Sequence, residues 1–316
     1  MVASIFIDGE AGTTGLQIRE RLAGRRDVAV ISIDPDKRKD QAERKRLLNA
    51  ADIAILCLPD DAARESVTLI ENDNTRVIDA SSAHRTAEGW VYGFAEMSSS
   101  QGNAIATAKR VTNPGCWPQG PIATLRPLIA AGLIPAHFPV TVHGITGYSG
   151  GGRTMIEDYE EKGESANEFQ LYGLTFKHKH LPELTKYAGL AEAPLFTPAI
   201  GNFRQGMVSV VPLQLRQLAS RPSGRDLHAA LEAHYAGIEG GFVEVAPFGE
   251  AERLSEIDPQ VYNDTNRMRL YVFANDDKAQ AALVAVYDNL GKGASGAAVQ
   301  NLNLMLGMAA DTSLAA

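Results

Sequence analysis

The chain has 316 residues, 45% of them hydrophobic and 22% charged, with a formal net charge of −8 at pH 7; this is the balance of a globular protein long enough for two domains. The acidic excess argues against nucleic acid or an anionic membrane surface as a partner, since both reward a basic patch, yet it leaves room for a small anionic ligand held by a few local cations. Cys57 and Cys116 are the only cysteines, which excludes a disulfide framework and a cysteine-based metal site.

The two-cysteine count predicts a reducing compartment. The N-terminus lacks the basic start and long apolar core of a secretory signal, and no apolar stretch approaches the roughly 20 residues of a membrane span. The expectation is a soluble, cytoplasmic protein with no metal.

In chain order, Val2 to Ile7 predicts a short buried strand that runs into Gly9-Glu10-Ala11-Gly12-Thr13-Thr14-Gly15 and then a helix from Leu16 to Ala23, with Ile18 and Leu22 on one face. Glycines there let the chain turn tightly and approach a pyrophosphate, while the helix N-terminus supplies N–H donors. The spacing is a variant of the usual dinucleotide fingerprint, in the right strand–turn–helix context. A second strand, Val28 to Ile33, ends at Asp34. An acidic residue at that position accepts from a ribose 2′-hydroxyl and favours NAD. Lys37, Arg38 and Lys39 follow directly and would suit a 2′-phosphate, so NADP and NAD both stay open.

Residues 35–46 read as a solvated loop or helix face. Ile53 to Leu58 is a third strand, carrying Cys57, and Asp60 to Ile70 a helix. Val77-Ile78-Asp79 starts another strand, ending in Ala80-Ser81-Ser82-Ala83-His84-Arg85. Strands alternating with helices predict a parallel, doubly wound sheet. Such sheets place ligands at the strand ends, where Arg85 beside two hydroxyls suits a phosphate or carboxylate.

Cys116 lies in Asn113-Pro114-Gly115-Cys116-Trp117-Pro118-Gln119-Gly120. Two prolines and two glycines force a turn that opens into a helix. A helix N-terminus favours a thiolate over a thiol and can hold a developing oxyanion, which is the setting of a nucleophile. The alternative is a tight loop that contains a small residue.

Beyond Cys116 the texture changes. Val140 to Ile145 reads as a strand leading to Gly147-Tyr148-Ser149-Gly150-Gly151-Gly152-Arg153. Arg153 after a triple glycine is a second candidate for an anion. Residues 156–170 are polar and partly helical, and Val208 to Leu215 and Met268 to Ala274 read as strands. This half predicts an α+β domain with an open, mainly antiparallel sheet, closed by an apolar helix near 297–310. His178 and His180, alternating in an extended segment, would face one pocket and supply a general acid–base near neutral pH; the alternative is a solvated pair in a basic loop.

The chain resembles the N-acetyl-γ-glutamyl-phosphate reductase family, in its shorter form, over essentially its whole length. The glycine loop 9–15 is similar to the family's cofactor loop, and Asn113-Pro114-Gly115-Cys116 to its nucleophile motif. The segment 147–153 is similar to its Ser-Gly-Ala-Gly-Arg run, His178-Lys179-His180-Leu181-Pro182-Glu183 to its His-Arg-His-x-Pro-Glu, and residues 288–301 to its closing signature. The resemblance implies a dinucleotide-binding domain over 1–115, a catalytic and oligomerisation domain over 116–287, and a C-terminal segment, 288–316, returning to the first. It implies NADP(H), a homo-oligomer (dimer or tetramer), an acyl phosphate substrate, and a Cys116 thioester that is reduced to the semialdehyde of arginine biosynthesis. His178 or His180 would be the acid–base and Gln119 an oxyanion partner. Cofactor contacts would come from Gly9, Gly12, Thr13, Thr14, Gly15, Asp34, Arg38, Ser81, Gly150 and Asn301, and substrate or phosphate contacts from Ser82, Arg85, Arg153 and Glu183. The nearest alternatives are aspartate-semialdehyde dehydrogenase and a carrier-linked γ-glutamyl-phosphate reductase; a non-catalytic dinucleotide-binding regulator is the alternative of another class.

Overall fold

Strand alternation decides the first of two compact units. In this computed structural model, which describes residues 2–251, 254 and 256–315, that unit runs to Ala95 and adds Ser100–Gly115 and Ala294–Leu314; the second holds Glu96–Ser99 and Cys116–Gly293. The first unit contains β1 (Ala3–Asp8), α1 (Thr13–Leu22), β2 (Val28–Ile31), α2 (Gln41–Ala50), β3 (Ile53–Leu56), α3 (Asp60–Leu69), β4 (Arg76–Asp79), β5 (Val91–Tyr92), α4 (Gln101–Thr107) and β6 (Arg110–Thr112). Its sheet runs β2-β1-β3-β4-β6-β5, with every pairing parallel.

Successive side chains of a strand face opposite sides, and in β1 both sides are buried. Ile5 and Ile7 pack into one core with Ile18 and Leu22 of α1, while Phe6 packs into another with Leu47 and Leu48 of α2 and Ala63 of α3. A parallel sheet covered by helices on both faces is the doubly wound arrangement that the near-continuous apolar strands predict. The strand order reverses across β1, so the glycine loop after Asp8 lies at the ligand-binding end of the sheet. The charged stretch 35–46 resolves into a single 3₁₀ turn, Pro35–Lys37, and the start of α2.

The second unit contains α5 (Cys116–Ala130), β7 (Thr141–Gly147), α6 (Arg153–Lys162), β8 (Phe169–Leu171), α7 (Leu181–Ala188), β9 (Leu195–Gly201), β10 (Met207–Gln214), α8 (Gly224–Tyr235), β11 (Val243–Val245), α9 (Phe248–Ala251), β12 (Met268–Asn275) and β13 (Gln280–Tyr287). Its sheet runs β11-β12-β13-β10-β7-β9-β8. The β11–β12 and β7–β9 pairs are parallel and the other four antiparallel, so the sheet is mixed, with the predicted antiparallel bias. Helices α5 and α8 pack against this sheet, and α7 packs on α5. The last helix, α10 (Gly296–Met305), belongs to the first unit, where Ala298, Val299, Leu302 and Met305 join the core of Ile5 and Ile7.

Candidate active site

The glycine loop is built so tightly that side chains are excluded at two positions. Gly9 has φ +90, and a methyl there would stand 2.3 Å from the Cys57 carbonyl oxygen; one on Gly15 would stand 2.7 Å from the Gly9 oxygen. The turn is closed by Gly12 N donating to Gly9 O at 3.0 Å. Gly12 caps α1 with no side-chain hydrogen bond, so the N–H groups of Thr13 and Thr14 begin the helix without a side-chain acceptor, as anion-binding helix ends do. Beside the loop lies a cavity of about 280 Å³ lined by Gly9, Ala11, Ile33, Arg38, Lys39 and Arg44 among others.

The cations of this cavity differ in their commitments. Arg44 donates to Asp8 Oδ2 from Nη2 at 3.0 Å and pairs with Glu65 at 3.2 Å. Among the described residues Arg38 and Lys39 have no ion-pair partner. Asp34, expected to meet a ribose, does not line this cavity; its carboxylate accepts from Asp36 N at 3.0 Å and caps the 3₁₀ turn. Cys57 directly follows β3, and burial first, then the charges of Asp79 and Asp8, push its thiol up to about 12.

Several expected ligand contacts are committed within the same unit. Ser81 donates from its hydroxyl to Asp79 Oδ2 at 2.8 Å, and Ser82 donates to Asp60 Oδ2 at 2.9 Å. Arg85 is buried; its Nε donates to Asn113 O and its Nη2 to Ala80 O, both at 3.1 Å, so this guanidinium braces main chain. Asn301, expected to reach a nicotinamide, is fully buried, and its amide nitrogen donates to Gly93 O at 2.9 Å and Asn113 Oδ1 at 3.1 Å.

In the second unit Cys116 is the first residue of α5, a 15-residue helix. The rest of its first turn is anchored by aromatic side chains. Tyr287 Oη donates to Cys116 O at 2.7 Å. Trp117, 2% exposed, donates from Nε1 to Tyr172 Oη at 2.7 Å and sets its ring edge-on to Phe196. Tyr172 is held well above the usual phenol range by burial first and by charge on Cys116 second. Its ring meets that of His178 at 5.7 Å, and His178 meets His180 at 4.8 Å and Phe196 at 5.1 Å.

The histidines therefore do come together, by a different route from the one expected. They lie in a turn that leads into α7, with His180 in the right-handed helical region at φ −87, ψ −9; no extended strand aligns them. His178 Nδ1 accepts from His180 N at 3.2 Å, which leaves the neutral-ring proton on Nε2. Burial first and Lys179 second lower the His178 pKa from 6.5 to about 4, so the ring is neutral near pH 7. His180 and Glu183 are buried, whereas Arg153 is exposed at the start of α6 and Gly150 sits in the 3₁₀ turn Tyr148–Gly151. Gln119 is also fully buried, and its amide nitrogen donates to Lys292 O at 2.7 Å. One of its two N–H donors is thus engaged inside the protein.

Residues 13–105 match the semialdehyde dehydrogenase NAD binding domain and residues 116–289 the semialdehyde dehydrogenase dimerisation domain. The chain is 71% identical over 306 residues to the N-acetyl-gamma-glutamyl-phosphate reductase of Chelativorans sp., covering 97% of this chain and 99% of that one. It is 68% identical over 308 residues to that of Mesorhizobium japonicum, covering 98% and 100%. The chain belongs to the N-acetyl-γ-glutamyl-phosphate reductase family. Its fold is also that of aspartate semialdehyde dehydrogenase II from Vibrio cholerae, with a TM-score of 0.69 at 14% identity over 97% of this chain and 98% of that one. The enzyme from Candida albicans, solved with NADP, gives 0.63 at 13% identity, covering 98% and 99%.

For a member of this reductase family, the residues that sequence reasoning missed are Trp117, Tyr172 and Tyr287 around the cysteine, and Arg44 beside the glycine loop. Aromatic residues in and beside strands look like core, and only their hydroxyl and indole partners distinguish these. Among the described residues no helix is long and apolar enough to cross a membrane, and no group of three or more His, Cys, Asp or Glu side chains is placed to hold a metal ion.

Proposed function

We propose that this chain reduces N-acetyl-γ-glutamyl phosphate to N-acetylglutamate semialdehyde and inorganic phosphate with NADPH, through a thioester on Cys116. The observation that carries the reading is the place of Cys116 at the N-terminus of α5, in a chain 71% identical to an N-acetyl-gamma-glutamyl-phosphate reductase along nearly its whole length. The reaction belongs to amino-acid biosynthesis in the cytoplasm, in keeping with two cysteines that form no disulfide.

The cofactor cavity fits a dinucleotide with a 2′-phosphate. Gly9 and Gly15 let the loop pack tightly on its own main chain, the N-terminus of α1 carries no side-chain cap, and Arg38 and Lys39 line the cavity where Asp34 does not. Bound there, NADPH supplies the hydride that takes the thioester to the aldehyde oxidation level.

The protein's own part begins with the Cys116 thiolate, whose charge is favoured at the positive end of a helix. The sulfur attacks the acyl carbonyl carbon, the C–O bond to phosphate breaks, and inorganic phosphate leaves. After reduction the oxyanion on the former carbonyl carbon collapses, the C–S bond breaks, and the aldehyde departs as the thiolate re-forms. Each stage places negative charge on one oxygen. The N–H groups at the start of α5 and the His178 Nε2–H are the donors for it, and a neutral imidazole does this without carrying a net charge. This reading makes His178 the reacting histidine and His180 its brace through the main-chain hydrogen bond.

The oligomer forms, in this reading, through one apolar face of the second unit. Phe169 and Leu171 on β8 are 57% and 49% exposed, and with Ile145, Val208 and Val210 they line an open apolar cavity of about 430 Å³. A second copy of the chain is its occupant, since these strands lie within the residues that match a dimerisation domain.

The test is phosphate-dependent reduction of NADP and of NAD, each with N-acetylglutamate semialdehyde and with aspartate semialdehyde. The reading expects turnover with the first aldehyde and NADP. Preference for aspartate semialdehyde, or full activity in Cys116→Ser, would overturn it.

A further inference from the structure

Lys292 and Glu96 form an ion pair in the interior of the second unit. Lys292 Nζ lies 2.8 and 2.7 Å from the two carboxylate oxygens, and each side chain is 1% exposed. Glu96 Oε1 also accepts from Phe242 N at 2.9 Å, and the Lys292 ammonium stands 5.8 Å from the centre of the Phe242 ring. Removing both charges from water is costly, and two apolar side chains of like volume would generally serve stability as well. A pair kept in such a place is explained better by what it holds than by the stability it adds.

What it holds is the main chain against the nucleophile. Lys292 lies in Gly291–Ser295, a turn of π-helix, a form that occurs mostly as single turns at functional sites. The Lys292 carbonyl accepts from Gln119 in the first turn of α5. The next residue, Gly293, is so close to Cys116 that a methyl group on it would stand 3.1 Å from Cys116 Cβ and 3.5 Å from Cys116 Cα. Gly293 N in turn donates to Asp288 O at 2.8 Å. One side chain thus fixes a turn that touches the α5 N-terminus at two points, one polar and one steric.

We propose that the buried Lys292–Glu96 pair is a positioning device for Cys116, setting the turn at 291–293 that fixes Gln119 and closes on the nucleophile. Lys292 and Glu96 are positioning residues, and neither meets the substrate. The proposal rests on the reading of Cys116 as nucleophile.

The experiment uses the full-length chain with Cys57→Ser, so that iodoacetamide reports on Cys116 alone. Lys292→Met is expected to slow Cys116 alkylation and to lower kcat, each by about tenfold to a hundredfold, since small misplacements of a reacting group carry losses of that order. KM for NADPH stays at the parent value. Glu96→Gln keeps an oxygen for the ammonium and for Phe242 N, so it retains the larger part of both rates. A folded Lys292→Met protein that alkylates at the parent rate overturns the proposal. If that variant does not fold, Glu96→Gln/Lys292→Met leaves no unpaired charge and is read in the same way. Gly293→Ala tests the steric contact without touching either charge, and an unchanged alkylation rate there also overturns it. Full activity in Cys116→Ser would sink the nucleophile reading instead, and the alkylation rates would still report on positioning.

Discussion

The Tyr287 hydroxyl stands inside the first turn of the nucleophile's helix, donating to Cys116 O at 2.7 Å while accepting from Gly120 N at 3.2 Å. In an uninterrupted α-helix those two main-chain groups pair with each other. Here a phenol bridges them, and the same hydroxyl lies 3.5 Å from Trp117 O, whose helical donor would be the N–H that Pro121 lacks. The turn that presents Cys116 is therefore braced by a side chain from the end of β13. Tyr287 is fully buried, and burial first, then charge on Cys116, hold its phenol above the ordinary range, so the hydroxyl keeps its proton.

Tyr287→Phe removes both hydrogen bonds of this bridge. The expected loss of stability is about 1–3 kcal/mol, a fall in Tm of some degrees at this chain length. A drop in kcat with little change in KM for the cofactor should accompany it. A variant with parent Tm and parent kcat would show that the bridge does not set the turn.

His178 makes a prediction with a definite sign. Its folded pKa, about 4, lies below the ordinary 6.5, so between those values the unfolded chain binds the proton more readily. The neutral ring's contribution to stability is therefore complete above pH 6.5 and is lost as pH falls toward 4. His178→Gln should lose less Tm across that window than the parent. In the parent, kcat should show no inflection near 6.5 that the variant abolishes, because the ring is already neutral there. Equal Tm losses in the two proteins would contradict the burial-driven shift.

The parts of this molecule legible in the sequence are those governed by local pattern. The apolar strands at the start, the glycine turn and the Pro/Gly-flanked cysteine each depend on neighbours within a few residues, and they fold as read. Strand β13 was harder to see, because Gln280 to Tyr287 carries three alanines and alanine is a weak strand former; its pairing with β12 over eight residues decides it. The roles of Gln119 and Asn301 were hidden for another reason. Each has a donor that suits a ligand, and only tertiary structure shows it committed to a carbonyl far away in the chain. Asp34 illustrates the reverse, a residue read for its long-range ligand that also accepts a hydrogen bond from two residues away.

The two thiols should separate cleanly by reactivity. Alkylation proceeds through the thiolate, and a Cys57 thiol pushed up to about 12 presents almost none near neutral pH. Cys57→Ser should leave kcat and the fast phase of iodoacetamide labelling unchanged, whereas Cys116→Ser should abolish both turnover and labelling. Acyl-enzyme recovered on Cys57 by peptide mapping would reverse the assignment.

Cofactor choice comes down to Arg38 and Lys39. They line the glycine-loop cavity with no ion-pair partner among the described residues, while Arg44, which lines it too, is already neutralised by Asp8 and Glu65. A 2′-phosphate would bring the charge these two cations lack, and an Arg–phosphate contact is the stronger of the two because its donors are paired in one plane. Arg38→Ala should weaken NADPH binding by about 1.5–3 kcal/mol, roughly tenfold to a hundredfold in Kd, and Lys39→Ala by less. NADH, which lacks the phosphate, should bind both variants as it binds the parent. The measurement is a fluorescence titration of reduced cofactor without substrate, so it reads binding alone. If Arg38→Ala lost NADH and NADPH equally, the arginine would be holding the shared pyrophosphate or the fold of the loop, and discrimination would have to come from Asp34, released from its cap to meet the ribose.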